Sequence, residues 1–239
     1  MKKRIVALAL VVVAVVALGP GALSTHSWGG YHWSRSSNPV SLTVVDSVTS
    51  AWDASLTGAS ADWNQSAVID LTKVGGSTVS RDRKKCATPA GKIRVCNAAY
   101  GRNGWLGIAE IWLDGNAHIS KARTRVNDSY YSKGKYNTPA WRNFVMCQEL
   151  GHDFGLDHQD EAFANPNLGT CMDYTNDPST NQHPNAHDYE HLASIYSHLD
   201  GGATASTTSA SRYHGVDDDH RVSRDGKHTK LTFIYRTTR

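Results

Sequence analysis

Gln148-Glu149-Leu150-Gly151-His152, followed by Gly155 and His158, is the stretch that most restricts how this chain folds. Residues four apart on an α-helix lie one turn apart on one face, so Gln148 and His152 aim at one point and Glu149 projects beside them. Thr138 before Pro139 is a helix start: the threonine oxygen accepts from free backbone N–H groups, and proline suits the first helical position. The spacing predicts a helix from there through His152. Gly151 inside it costs about 1 kcal/mol relative to alanine, which predicts close packing against another backbone. Gly155 permits a sharp turn, after which His158 can double back as a further ligand. Three protein ligands leave zinc one position for water, and an adjacent carboxylate takes the proton as that water attacks a carbonyl.

The spacing Gln148-Glu149-x-x-His152-x-x-Gly155-x-x-His158 resembles the H-E-x-x-H-x-x-G-x-x-H signature of the metzincin zinc endopeptidases, which include matrixins and astacins. Cys171-Met172-Asp173-Tyr174 follows by a short loop, as the methionine turn does in that family. The likeness is densest over Thr138 to Asn176 and looser over Val40 to Leu199. It implies an α+β, metzincin-like fold, a mixed twisted sheet packed with an active-site helix and a C-terminal helix. It further implies Zn2+ held by Gln148, His152 and His158, with Glu149 as the base. Met172 would floor the site, and Tyr174 would bind the metal or stabilise the oxyanion. A protein or peptide substrate would lie extended along the segment Gly104 to Ile111, read as an edge strand.

The departure is at position 148, where a neutral amide oxygen is a poorer zinc donor than an imidazole nitrogen. Three outcomes stay open: coordination through the amide, completion of the shell by Asp157, Asp173 or Tyr174, or loss of the metal. The function expected is zinc-dependent hydrolysis of protein peptide bonds. The alternative is a catalytically impaired module on the same fold that binds peptides or surfaces without cleaving them.

Lys2, Lys3 and Arg4 precede the apolar run Ile5 to Leu18 and small residues through Ser24, which predicts a signal peptide over residues 1–24 and a secreted product with no membrane contact after cleavage. In an oxidising compartment Cys86, Cys96, Cys147 and Cys171 form two bridges. Of the three pairings, Cys86 with Cys96 and Cys147 with Cys171 is favoured: the first closes a short basic loop, and the second ties the metal helix to the later loop. With 25 basic and 22 acidic residues the charge is nearly balanced, so nucleic acid is not an expected partner and a monomer is.

Along the chain, strands are expected at Val40 to Val45, Val68 to Leu71, Ile93 to Tyr100 and Trp105 to Leu113, and helices at Ser47 to Trp63 and His187 to His198. Arg81 to Lys85 reads as an exposed loop. His187, His191 and His198, with His183 nearby, make a second metal site conceivable, although a solvated helix face explains them better. Residues 25–199 form the expected peptidase domain and 200–239 a linker and short tail, in which Gly201 to Ser211 is linker, Asp217 to Asp219 solvates the tail, and Leu231 to Tyr235 is strand-like.

Overall fold

The computed structural model of the chain describes residues 26–200, 220–224 and 229–237. The expected signal peptide, the linker Gly201 to Ser211 and Asp217 to Asp219 lie outside the described residues. Among the described residues no helix is long and apolar enough to cross a membrane.

Alternating β-branched residues make β1 (Val40–Ser47), whose Val40, Leu42 and Val44 are buried. It pairs in parallel with β2 (Ile69–Gly75) and β3 (Lys92–Ala98), the crossover to β2 being α1 (Asp53–Trp63). The helix starts at Asp53, later than Ser47, because Ser47 still pairs with Cys96 and the Thr49 N–H is taken by the Asn97 side chain. Arg81 to Lys85 lies within a six-residue exposed helix, α2 (Ser80–Lys85), rather than a loop. It closes on Cys86, and Cys86 is bonded to Cys96.

β4 (Trp105–Leu113) and β5 (Ile119–Asn127) form an antiparallel pair, and β5 runs parallel to β3. Strand β5 was not anticipated: Ala122, Thr124 and Val126 point inward while Arg123 and Arg125 point outward, an alternation masked by the basic residues. A short α3 (Asp128–Tyr131) leads to α4 (Pro139–Asp153), which packs on α1 and across β4 and β5. The last helix, α5 (Ala186–Ile195), begins with a capping box between Asn185 and Asp188 and stops short of His198.

Segment Gly104 to Ile111 is not an edge. β7 (Thr229–Arg236) pairs antiparallel with β4 from Trp105↔Arg236 to Leu113↔Thr229, and β6 (His220–Arg224) lies outside β7, giving the order β2-β1-β3-β5-β4-β7-β6. Residues 220–224 and 229–236 thus extend the sheet of the domain instead of forming a separate tail. The reason is apolar area: Leu231, Phe233, Ile234 and Tyr235 are all buried by this docking.

Glu110 on β4 pins the added strand. It is buried and accepts from Arg123, Arg125 (3.0 Å) and Lys230 of β7 (2.8 Å). Burial raises its pKa, but Arg125, Arg123 and Lys230 together outweigh burial and hold the carboxyl below its ordinary value. Its contribution to stability is therefore present above the unfolded value of 4.5 and lost as pH falls through the depressed folded value. The expected result is a melting-temperature gap between wild type and Glu110→Gln at neutral pH that shrinks on acidification below about 4.5. A gap unchanged by pH would contradict this.

Candidate metal centre

Thr138 caps α4 as expected, its hydroxyl oxygen accepting the Trp141 N–H at 3.2 Å with Pro139 in the first turn. From Phe144 to Asp153 every residue of the helix is buried, because Trp63 of α1 and the sheet cover it from both sides. The Cys147–Cys171 bond fastens it to the loop carrying Met172, whose side chain lies fully buried under Gly151. Gly151 faces side chains, not another backbone: an added Cβ would sit 2.5 Å from Met172 Sδ and 2.8 Å from Trp63 Cζ2. Gly151→Ala is expected to destabilise the protein by about 1–3 kcal/mol, measurable by urea unfolding, since both neighbours are buried and have little room to yield.

The turn after α4 requires glycine. Gly155 has φ +99°, and a Cβ there would collide with the Tyr31 carbonyl oxygen. Segment 26–33 grips this turn: the Trp28 N–H donates to Gly155 O at 2.9 Å, the Trp33 indole to Asp153 O at 2.9 Å, and the Asp157 N–H to His26 O at 2.5 Å.

The turn brings the two histidines together, Nε2 to Nε2 at 2.9 Å. Each is aimed by its other nitrogen: His152 Nδ1 donates to Leu156 O at 2.9 Å, and His158 Nδ1 lies 3.1 Å from Glu161 Oε1. An Nδ1–H held by a carbonyl or carboxylate leaves Nε2 as the lone-pair atom, the arrangement found in metal-ligating histidines. Burial, and then the facing His158, hold His152 well below its ordinary pKa and keep it neutral.

Gln148 and Glu149 are fully buried on the same helix, and the Glu149 carboxylate lies against β4, next to Gly107. Among the described residues neither Gln148 Oε1 nor Nε2 has a hydrogen-bond partner, and neither oxygen of Glu149 has one of good geometry. Buried amides are rarely left so. Two lone-pair nitrogens and an orphaned amide oxygen one helical turn away form a donor set that fits a zinc ion. Burial and the nearby Asp153 carboxyl push Glu149 well above the ordinary carboxylate range, partly offset by the Ala109 backbone N–H.

Of the residues considered as substitutes for Gln148, Asp173 has its Oδ2 taken up by Leu168 N–H and Asn181 Nδ2, both at 2.9 Å, while its Oδ1 has no hydrogen-bond partner among the described residues. Asp157 stands on the Nδ1 side of His158, 3.7 Å away, not beside its Nε2. Tyr174 is buried with its ring 4.3 Å from that of His158, placing it alone of the three against the pair.

The docked hairpin closes the centre. Phe233 of β7 stacks flat on His152, with centroids 4.0 Å apart and planes 8° apart, and His220 of β6 comes 3.5 Å from Asp157 and 3.7 Å from Glu161. Asp157, His158, Glu161 and His220 thus converge behind the His158 ring. The sequence showed no signal for His220 or Phe233, which reach the site only through sheet pairing. The histidines of the C-terminal helix do not gather as a set. His187 and His191 stack with His26, His183 pairs with Asp62 at 2.7 Å, and His198 joins a different cluster described below.

No family model matches the chain, and no curated protein matches it by sequence. Among solved structures the fold is similar to high choriolytic enzyme 1, a hatching-enzyme zinc-protease from Oryzias latipes (medaka fish), with TM-score 0.37 and 12% identity, covering 70% of this chain and 94% of that one.

Proposed function

We propose that the chain is a secreted, metzincin-type zinc endopeptidase whose cleft is held shut by its own C-terminal hairpin. The observation that carries this reading is the His152–His158 pair, with facing Nε2 atoms and Nδ1 atoms tied down, on a helix whose Gln148 side chain is buried with no hydrogen-bond partner among the described residues.

In this reading His152, His158 and the Gln148 amide oxygen hold the metal. Bound zinc supplies Lewis acidity, polarising a carbonyl and lowering the pKa of water. Glu149 takes the proton from the attacking water and returns it to the leaving amine. The Tyr174 hydroxyl donates to the developing oxyanion. β4 orients an extended peptide through main-chain hydrogen bonds, the position that β7 fills in the closed form.

One observation favours the second reading, a peptide-capturing module without turnover: the neutral amide at position 148. Zinc content and casein hydrolysis, measured together on wild type, Glu149→Ala and Gln148→His, separate the two. The peptidase reading expects zinc in all three proteins and cleavage lost in Glu149→Ala alone. Gln148→His is expected to tighten zinc binding by roughly 100-fold, because an imidazole replaces a weak neutral oxygen donor. Wild type that does not cleave and holds one zinc ion fewer than Gln148→His, with cleavage gained in Gln148→His, would establish the second reading.

A further inference from the structure

We propose that His32, His118 and Asp200, with His198 at the rim, form a second zinc site that staples the N-terminal segment to the chain beyond α5. The Nε2 atoms of His32, His118 and His198 lie 3.4, 3.4 and 3.3 Å from one atom, Asp200 Oδ1. A tetrahedral ion with bonds of about 2.0–2.1 Å holds its ligand atoms about 3.3 Å apart, so these separations are those of a coordination shell. The donor atoms of His32, His118 and Asp200 all lie within 4.8 Å of one another.

The far atoms of His32 and Asp200 are hydrogen-bonded and that of His118 faces a carboxylate, leaving the near ones for the ion. His32 Nδ1 is held by the Gly30 carbonyl at 2.9 Å, Asp200 Oδ2 accepts the Arg35 backbone N–H at 2.9 Å, and His118 Nδ1 faces Asp114 Oδ2 at 3.8 Å. This is the outer arrangement that fixes the tautomer and direction of metal-bound imidazoles. A dication answers three imidazole lone pairs and one negative charge together. A nitrogen-rich set with one carboxylate suits zinc. His198, whose side chain is 56% exposed, is free to swing and close the shell or to yield its place to water.

The site joins segments far apart in sequence. The Arg35 guanidinium donates to the carbonyls of Tyr196 and His198, the Asp200 N–H donates to Arg35 O at 2.9 Å, and the Ile119 N–H to His32 O at 2.7 Å. The neighbouring Trp33 holds the end of α4 through Asp153 O, so the staple steadies the turn that aims His158.

The test is independent of the peptidase reading. Full-length protein is stripped of metal, reloaded with zinc and assayed for bound metal, as wild type, His32→Ala/His118→Ala, Asp200→Asn and His152→Ala/His158→Ala. Two zinc ions are expected in wild type and one in each variant. If only the helix-α4 reading fails, wild type holds one ion, the His152→Ala/His158→Ala variant keeps it, and the cluster variants hold none. Equal zinc in wild type and both cluster variants overturns the proposal. A folding defect is separated by melting: saturating zinc is expected to raise the Tm of His152→Ala/His158→Ala by roughly 5–10 °C, and Asp200→Asn added to it abolishes the shift. A Tm that zinc does not move in the former, or moves equally in both, also overturns it.

Discussion

A chain ending at Gly202 is expected to hydrolyse casein about 100-fold faster than the full-length protein. In the closed form β7 occupies the hydrogen-bonding edge of β4 along its whole length, and Phe233 covers the face of His152. An extended substrate cannot add to β4 until that strand leaves. Burial of Leu231, Phe233 and Tyr235 favours docking by about 1.5–3 kcal/mol per side chain, and the Lys230–Glu110 pair adds to it. Ordering the strand and closing the loop cost much of this. A net preference of about 3 kcal/mol leaves about 1% of molecules open, and the gain on removing the hairpin is the inverse of that fraction. Phe233→Ser in the full-length chain tests the same idea without exposing the whole edge, and should give a smaller rise in the same direction. Equal rates for all three proteins would show that the hairpin does not gate the cleft.

In that shortened chain Glu149→Ala is expected to lower kcat/KM by roughly 10²–10⁴-fold while leaving zinc content unchanged. Glu149 follows one candidate ligand directly and sits three residues before another, and its carboxylate is fully buried. Removing it leaves the metal and the peptide-binding edge but no group to accept the water's proton. The variant also removes a buried carboxyl whose burial disfavours its charged form, so its melting temperature should not fall with its activity. A variant that still cleaves at the wild-type rate would place the chemistry elsewhere. Loss of zinc together with activity would make Glu149 a positioning residue.

The parts of the site legible in the sequence are those set by local spacing. Thr138, Pro139, Gln148, Glu149 and His152 belong to one helix, and helical geometry places them without knowledge of any other element. Gly155 and His158 follow from the backbone freedom of one glycine, φ +99°. The two disulfides join residues 10 and 24 positions apart, short enough to be inferred from order along the chain. Gly151 is a close-packing position, but its neighbours are the Met172 and Trp63 side chains instead of a backbone, because local sequence shows that a position is crowded and not what crowds it.

What only tertiary structure decided lies at long range. That β4 has a partner, that Phe233 rests on His152, and that His32, His118 and His198 meet at Asp200 all depend on segments up to 168 residues apart. Strand pairing leaves little mark on a sequence when its register is chosen by the neighbouring strand, and a histidine carries no sign of the carboxylate it will face. The sequence by itself therefore determined helix α4 and its turn, which are governed by contacts a few residues apart. The closing of that site and the second histidine cluster were left to the packing of the whole sheet, where burial of apolar area outweighs local preference.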